Sequence, residues 1–442
     1  MGARICGTAA LGLFLAALTV SNEAAPTPAI SLGVAGRANA NVSLAAQGTF
    51  VEAVWSATAP GGETDVFAAA SRDGGRTFAA PVRVNTKPGD ARVNGEQPPR
   101  VALRARPGGA PEIAVVWTTK GASGTVLLSA TSSDGGKSFG ASTLVPGSEA
   151  PGNRGWEGLG VGPDGRFLSV WLDHRKLAEP QQKAMAGEHH HGDSAAPKPA
   201  AAAAPKDGVA MAQLSQLYVA SLDGTLTGKG ITGGVCYCCK TAIAAGSGNS
   251  LYLAWRHVYP NNMRDIAFTV SRDGGKTFAA PIRVSEDKWQ IEGCPDDGPS
   301  MAVDPQGTVH VVWPSVVTEN GGPVKALFHA MTRDGKAFTA RTRIPTQGMA
   351  NHPQLAIDAK GSLVVTWDES GSGTRTLAHA AGRLNGAEVR FTRGVTEKIV
   401  GTYPVLASTA PGQWLRAWTA GEPASSRIQV SPIAASADVL SH

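Results

Sequence analysis

The sequence predicts an all-β fold: a β-propeller of four-stranded blades, seven in number, with six as the alternative. Three observations carry it. Seven short runs rich in β-forming residues end in tryptophan: Val51–Trp55, Ile113–Trp117, Phe167–Trp171, Leu251–Trp255, Val309–Trp313, Leu363–Trp367 and Trp414–Trp418. These tryptophans lie 62, 54, 84, 58, 54 and 51 residues apart, a period that holds four strands and marks a repeat architecture. The chain is dense in turn formers, with 54 Gly and 29 Pro among 442 residues and no collagen-like period. Four antiparallel strands arranged radially leave only short edges exposed. A pair of β-sandwiches is the competing fold, but it gives no reason for one motif to recur in register.

Within a unit the elements follow in a fixed order. An apolar strand such as Pro353 to Asp358 is closed by a turn at Gly361 and leads into the Trp strand. A third strand such as Leu327 to Met331, a Gly-rich turn, and a fourth such as Arg341 to Pro345 complete the blade. The last unit, from Tyr403, offers three strands, and the early segment Ala29 to Val34 is free to supply the fourth. The expected propeller is therefore one domain, residues 29–440.

Ahead of it, Arg4 precedes an apolar run from Ile5 to Val20, then Ser21-Asn22-Glu23 and Ala24-Ala25-Pro26. A positive start, a short hydrophobic core and small residues after it form the pattern of a secretory signal, residues 1–25. Export to the periplasm or the extracellular space is the expectation, with no transmembrane span once the signal is removed. A net charge of +5 is mild for this size and argues against a nucleic-acid surface. Apolar content of 42% supports a packed core and rules out wholesale disorder.

The turn between third and fourth strands is the most regular motif. Ser71-Arg72-Asp73-Gly74-Gly75-Arg76-Thr77-Phe78 recurs around Asp134 (Ser132 to Phe139) and Asp273 (Ser271 to Phe278), with degenerate copies at Asp334 and Asp223. The aspartate bonds its own turn, the glycines permit positive φ, and the aromatic plugs the gap between strands. These copies resemble the Asp-box of the sialidase-like, or BNR-repeat, β-propellers. The resemblance covers roughly residues 40–435 and implies the fold; the boxes themselves occur in glycosidases and in binding propellers alike.

If strands run outward from the axis, the Asp-boxes share one face with the turns between first and second strands. The other face collects the varied loops: Asn153 to Glu157, Val235 to Lys240, Glu292 to Asp297, Met349 to His352 and Gly401 to Tyr403. Asp173, His174, Arg175, Arg256, His257, Arg264, Asp368 and Glu369 join them from the loops after the Trp strands. A polar funnel at a ring axis suits a small-molecule or glycan ligand. Arg175 and Arg256 are candidates for an anionic group, with His257, His352, Asp296 and Asp297 as further ligand contacts. An Ala/Pro-rich insertion over residues 176–208, containing His189-His190-His191, accounts for the 84-residue gap.

The cysteines are chemically the most specific feature. Cys6 leaves with the signal. Cys236, Cys238 and Cys239 enter the fourth blade and Cys294 the fifth. Adjacent loops of a ring bring the four sulfurs toward one place, and four cysteines allow three pairings. One reading is a disulfide from Cys294 to the 236–239 group. The other is a site for a soft metal, copper or zinc, with histidines nearby; no cofactor is required by the sequence.

Sialidases hold a substrate carboxylate with three arginines and use a glutamate-activated tyrosine as nucleophile. The resemblance offers Tyr403 as that nucleophile and Asp173 as a candidate acid/base. The family's Arg-Ile-Pro motif is missing from the first blade, where Ala40 to Leu44 stands, and the single Arg343-Ile344-Pro345 lies on a fourth strand. Three functions follow: an exported ligand-binding module with a Cys-lined mouth, an exo-sialidase-type glycoside hydrolase, and a Cys/His metal-handling propeller.

Overall fold

The computed structural model describes Gly2 and residues 29–178, 208–291, 293, 295–371, 373–385, 388–395 and 398–433. Seven four-stranded sheets are arranged as the blades of one propeller, so the repeat count resolves to seven. Every strand pair within a blade is antiparallel. In the first blade the strands are Ala38–Gln47, Phe50–Thr58, Thr64–Ser71 and Val82–Arg83, in that order from the axis. The last blade takes Thr402–Ala410, Gln413–Ala420 and Arg427–Ile433 from the carboxy-terminal end of the chain. Its outermost strand is Ile30–Leu32, paired antiparallel as Ile30 with Val430 and Leu32 with Ile428. The expected strand at 29–34 thus closes the ring, three residues long.

The Trp runs all form second strands, and their tryptophans lie between blades. Trp55, Trp117, Trp171, Trp255, Trp313 and Trp367 are fully buried, and Trp418 nearly so. Each occupies a hydrophobic cluster shared by neighbouring sheets, as Trp55 does with Val405 and Ile428 of the seventh blade, and Trp313 with Phe268 of the fourth. A sheet with only one layer has no partner within its own blade, so it must bury its faces on the sheets beside it.

The Asp-boxes sit where the topology predicts. Asp73 accepts from the backbone N–H of Arg76 (3.0 Å) and Thr77 (2.9 Å) and from the hydroxyls of Ser71 (2.8 Å) and Thr77 (2.6 Å). Asp134 and Asp273 repeat the pattern with Ser138 and Thr277, and Asp334 keeps a reduced version through Lys336 and Thr332. In the third blade the second strand, Phe167–Asp173, and the third, Gln216–Ser221, are separated by the stretch expected as an insertion, of which residues 179–207 lie outside the described residues and Gly208–Leu214 is a helix. The three histidines of that stretch lie outside the described residues. Among the described residues no helix is long and apolar enough to cross a membrane.

Candidate functional site

Register places one equivalent residue from each blade at the mouth opposite the Asp-boxes. The residue before each Trp pairs with Ser43, Arg100, Gly158, Ala242, Ser300, Gln354 and Val405 in successive innermost strands. Two positions earlier stand Asn41, Pro98, Trp156, Lys240, Gly298, His352 and Tyr403. In the first, third, sixth and seventh blades this residue falls in a register shift of the innermost strand. There Asn41, Trp156, His352 and Tyr403 adopt φ of 60°, 55°, 53° and 51°. Left-handed backbone at non-glycine residues costs on the order of 1 kcal/mol each, and bulges of this kind re-aim a side chain.

The mouth is packed with charge. His352 stacks on Tyr403 with ring centroids 3.9 Å apart. Its Nδ1 lies 2.6 Å from Asp368 Oδ1, while Arg375 donates to Asp368 Oδ2 at 2.6 Å. The His352 backbone N–H donates to both oxygens of Asp297, which also pairs with Lys325 at 2.9 Å. Burial disfavours charge on His352, but its Asp368 hydrogen bond and the nearby Asp297 and Glu96 carboxylates raise its pKa above the ordinary imidazole value. Glu96 is buried, 3.9 Å from Lys240 Nζ, and accepts from the Gly298 N–H at 3.3 Å. Burial and the carboxylates of Glu96, Asp296 and Asp368 hold the Tyr403 phenol well above its ordinary pKa. The tyrosine ring lies over Gly95, where a Cβ would fall 2.0 Å from Cζ. Behind this layer all seven innermost strands line an axial cavity of about 160 Å³.

The same face carries a larger cleft, about 370 Å³, between the second and third blades. Arg92, Asn94, Gln97, Asn153, Trp156 and His174 line it. Trp156 and His174 face each other with centroids 5.7 Å apart. Trp156 Nε1 and His174 Nε2 are buried without a hydrogen-bond partner among the described residues. Burial lowers the His174 pKa to about 4, so the ring is neutral at neutral pH.

Beside the mouth lies a cluster of three cysteine sulfurs. The Sγ atoms of Cys236, Cys238 and Cys239 stand 3.8 Å (236–238), 3.9 Å (238–239) and 3.8 Å (236–239) apart. Cys236 and Cys239 are free thiols. The Cys239 thiol donates to Cys236, and Arg264 Nη1 donates to Cys236 Sγ at 3.1 Å. That thiol bond, opposed by burial and aided by Arg264 and Arg256, brings the Cys236 pKa down to about 6. Burial and the bond to Cys236 push Cys239 the other way.

The remaining sequence candidates have settled partners. Arg256 is buried and donates to the carbonyls of Arg264, Asp297 and Pro314, bracing the fourth blade against the fifth. Asp173 is buried between Arg154 and Arg175 and accepts from Trp171 Nε1. Arg175 also stacks on Tyr218, so these two lie in one salt-bridged knot within the third blade. His257 packs against Tyr259 at 4.6 Å, and burial lowers its pKa to about 4. Asp296 is exposed at the rim, and Cys294 lies outside the described residues. Of the predicted site residues, the fold brings the ligand contacts His352, Asp296 and Asp297 together with the nucleophile candidate Tyr403. Sequence reading placed Trp156, Lys240 and His174 on this face without giving them a role and missed Glu96; counting two positions back from the partner of each pre-Trp residue singles out Lys240 and Trp156.

No protein family matches the chain, and no curated protein matches it. Solved structures do. A Penicillium chrysogenum α-L-arabinanase complexed with arabinobiose is 13% identical with a TM-score of 0.50, covering 93% of this chain and 98% of its own. A Fusarium graminearum GH93 α-L-arabinofuranosidase has 12% identity and a TM-score of 0.51 over 92% and 98% of the two chains. A PL25 ulvan lyase has 10% identity and a TM-score of 0.53 over 91% and 95%. At such identities the likeness establishes the propeller fold, the one the Asp-boxes implied.

Proposed function

We propose that this chain is an exported propeller that binds a glycan on the face opposite its Asp-boxes, in the cleft between the second and third blades. The observation that carries this reading is the pair of buried ring nitrogens, Trp156 Nε1 and His174 Nε2, which have no hydrogen-bond partner among the described residues and belong to residues lining a cleft of about 370 Å³. A buried polar atom left unpaired costs about 1–3 kcal/mol, and a ligand hydroxyl recovers it. An indole with amides and a guanidinium around it suits a sugar ring, apolar on its face and polar at its edge. Structural neighbours that act on arabinan and ulvan lend support to a glycan, as does the secretory signal expected from the sequence.

The mouth does not suit hydrolysis by a tyrosine nucleophile. Such a tyrosine must lose its proton, whereas burial and three carboxylates keep the proton on Tyr403. The arginines that would hold a sialoside carboxylate are committed elsewhere, Arg256 to carbonyls and Arg175 to Asp173. Titration of the mature protein with arabinan, ulvan and sialyl oligosaccharides, followed by tryptophan fluorescence, tests the reading. At least one should bind, with affinity lost at least tenfold in Trp156→Ala and Asn94→Ala. No binding across the panel, or binding indifferent to both substitutions, would overturn it; turnover of a fluorogenic sialoside abolished in Tyr403→Phe would establish the hydrolase instead.

A further inference from the structure

We infer that the reduced chain holds one soft monovalent metal ion, copper(I), on the sulfurs of Cys236, Cys238 and Cys239. The inference stands apart from the glycan reading, because it uses different side chains. Three sulfur ligands impose a strict distance requirement. A centre equidistant from sulfurs 3.8–3.9 Å apart lies about 2.2 Å from each in their plane, and about 2.3 Å just above it, in the range of metal–thiolate bonds. The four-residue loop that carries the three cysteines is tied to its neighbours on either side. The Cys236 N–H donates to the Arg256 carbonyl at 2.9 Å, and the Thr241 N–H to the Trp156 carbonyl at 3.0 Å.

Charge decides which metal. Three thiolates around copper(I) carry a net charge of −2, and around zinc(II) −1. The guanidinium of Arg264 donates to Cys236 Sγ at 3.1 Å and is itself oriented by Asn262 at 2.8 Å. Arg256 lies next to it, donating to the Arg264 carbonyl at 2.6 Å. Two positive groups beside the sulfurs favour the more negative complex, and soft thiolates select copper(I). The surroundings are dry: the three cysteines pack with Ala212 and Val258 under the helix Gly208–Leu214, which protects a thiolate complex from water and oxidant.

The oxidation state of Cys238 gates the site. Cys238 is disulfide-bonded, so only two of the three sulfurs are available as the chain stands. A dithiol reductant supplies two electrons and two protons, breaking that S–S bond to two thiols while itself closing to a disulfide. Copper(I) then displaces the protons of the three thiols and binds their sulfurs, so loading releases protons and needs no further electron.

The test compares oxidised and reduced mature protein under anaerobic conditions, titrated with copper(I) against the chromogenic chelator bicinchoninate. Reduction should switch retention from none to one copper per chain, with X-ray absorption showing three sulfurs and no nitrogen around the metal. Cys239→Ser and Cys236→Ser should each weaken retention at least tenfold, with tryptophan fluorescence confirming that the variants fold. Arg264→Gln, which leaves all three sulfurs, should weaken it by a smaller factor. Equal retention before and after reduction, retention unchanged in both serine variants, or a preference for zinc over copper would overturn the inference.

Discussion

Glu52 stands in the second strand of the first blade, fully buried, with neither carboxyl oxygen hydrogen-bonded among the described residues. Its oxygens lie under the Asp-box of the next blade, where a Cβ on Gly136 would come within 3.0 Å of one of them. Burial raises its pKa to about 8, with Arg72 opposing. A carboxyl whose pKa is higher in the folded state binds its proton more tightly there, so its stabilising contribution is complete below the ordinary value and is lost as pH rises through about 8. Glu52→Gln removes that dependence. The variant should melt above the parent at pH 9, by a margin worth a few kcal/mol, and the margin should shrink toward pH 4. A pH-independent difference in calorimetry would refute the assignment. At the mouth, Gly95→Ala pushes a methyl into the Tyr403 ring and should displace it from His352, abolishing their stacking in a crystal structure of the variant.

Turns between third and fourth strands show how one element serves two blades. In the three clean Asp-boxes the second glycine has φ of 88°, 81° and 94° at Gly75, Gly136 and Gly275, which alone favours glycine. Each also faces the preceding blade: a Cβ at Gly75 would fall 2.3 Å from Leu415, and one at Gly275 would fall 3.2 Å from Leu226. The aspartates fix the turn so that these close approaches are kept. Hydrogen bonds from Ser138 and Thr277 bring the Asp134 and Asp273 pKa values down to about 2. A depressed acid contributes stability that is present above its ordinary value and lost as pH falls toward 2. The double variant Asp134→Ala, Asp273→Ala should therefore unfold at lower temperature than the parent at pH 6. The gap should close as both are acidified toward pH 2, as followed by circular dichroism.

Ring closure belongs to the whole molecule. Six blades are built from consecutive strands, whereas the seventh joins residues nearly 400 positions apart, Ser31 beside Gln429. Leu32 is buried in the cluster shared by the seventh and first blades. Leu32→Ala should cost on the order of 2 kcal/mol. Deleting residues 29–34 should do more, exposing the edge of the last blade and broadening the unfolding transition in calorimetry. A sharp transition at the parental temperature would show that the closing strand is dispensable. Long-range pairing of this kind carries a loop-closure cost that the interblade clusters must offset.

Blade number, the Trp strands, the Asp-Gly turns between third and fourth strands and the closing strand were all legible in the sequence, because each repeats or completes a local pattern. A second strand such as Val309–Glu319 pairs with its own neighbours wherever the blade sits, so period and turn chemistry specify it. The face that carries the loops followed from the same alternation, and with it the neighbourhood of His352, Tyr403, Asp296 and Asp297. What each polar side chain does there was settled only by contacts between blades. Arg256 reads as a ligand-binding cation beside its Trp, yet it spends its donors on carbonyls of the fifth blade. Glu96 reads as a loop carboxylate, yet Lys240 and Gly298 from two other blades enclose it. His174 and Trp156 form a cleft only because the second blade brings Asn94 and Gln97 alongside. Hydrogen-bond partners drawn from distant parts of a ring have no sequence spacing, so their assignment belongs to the tertiary structure alone.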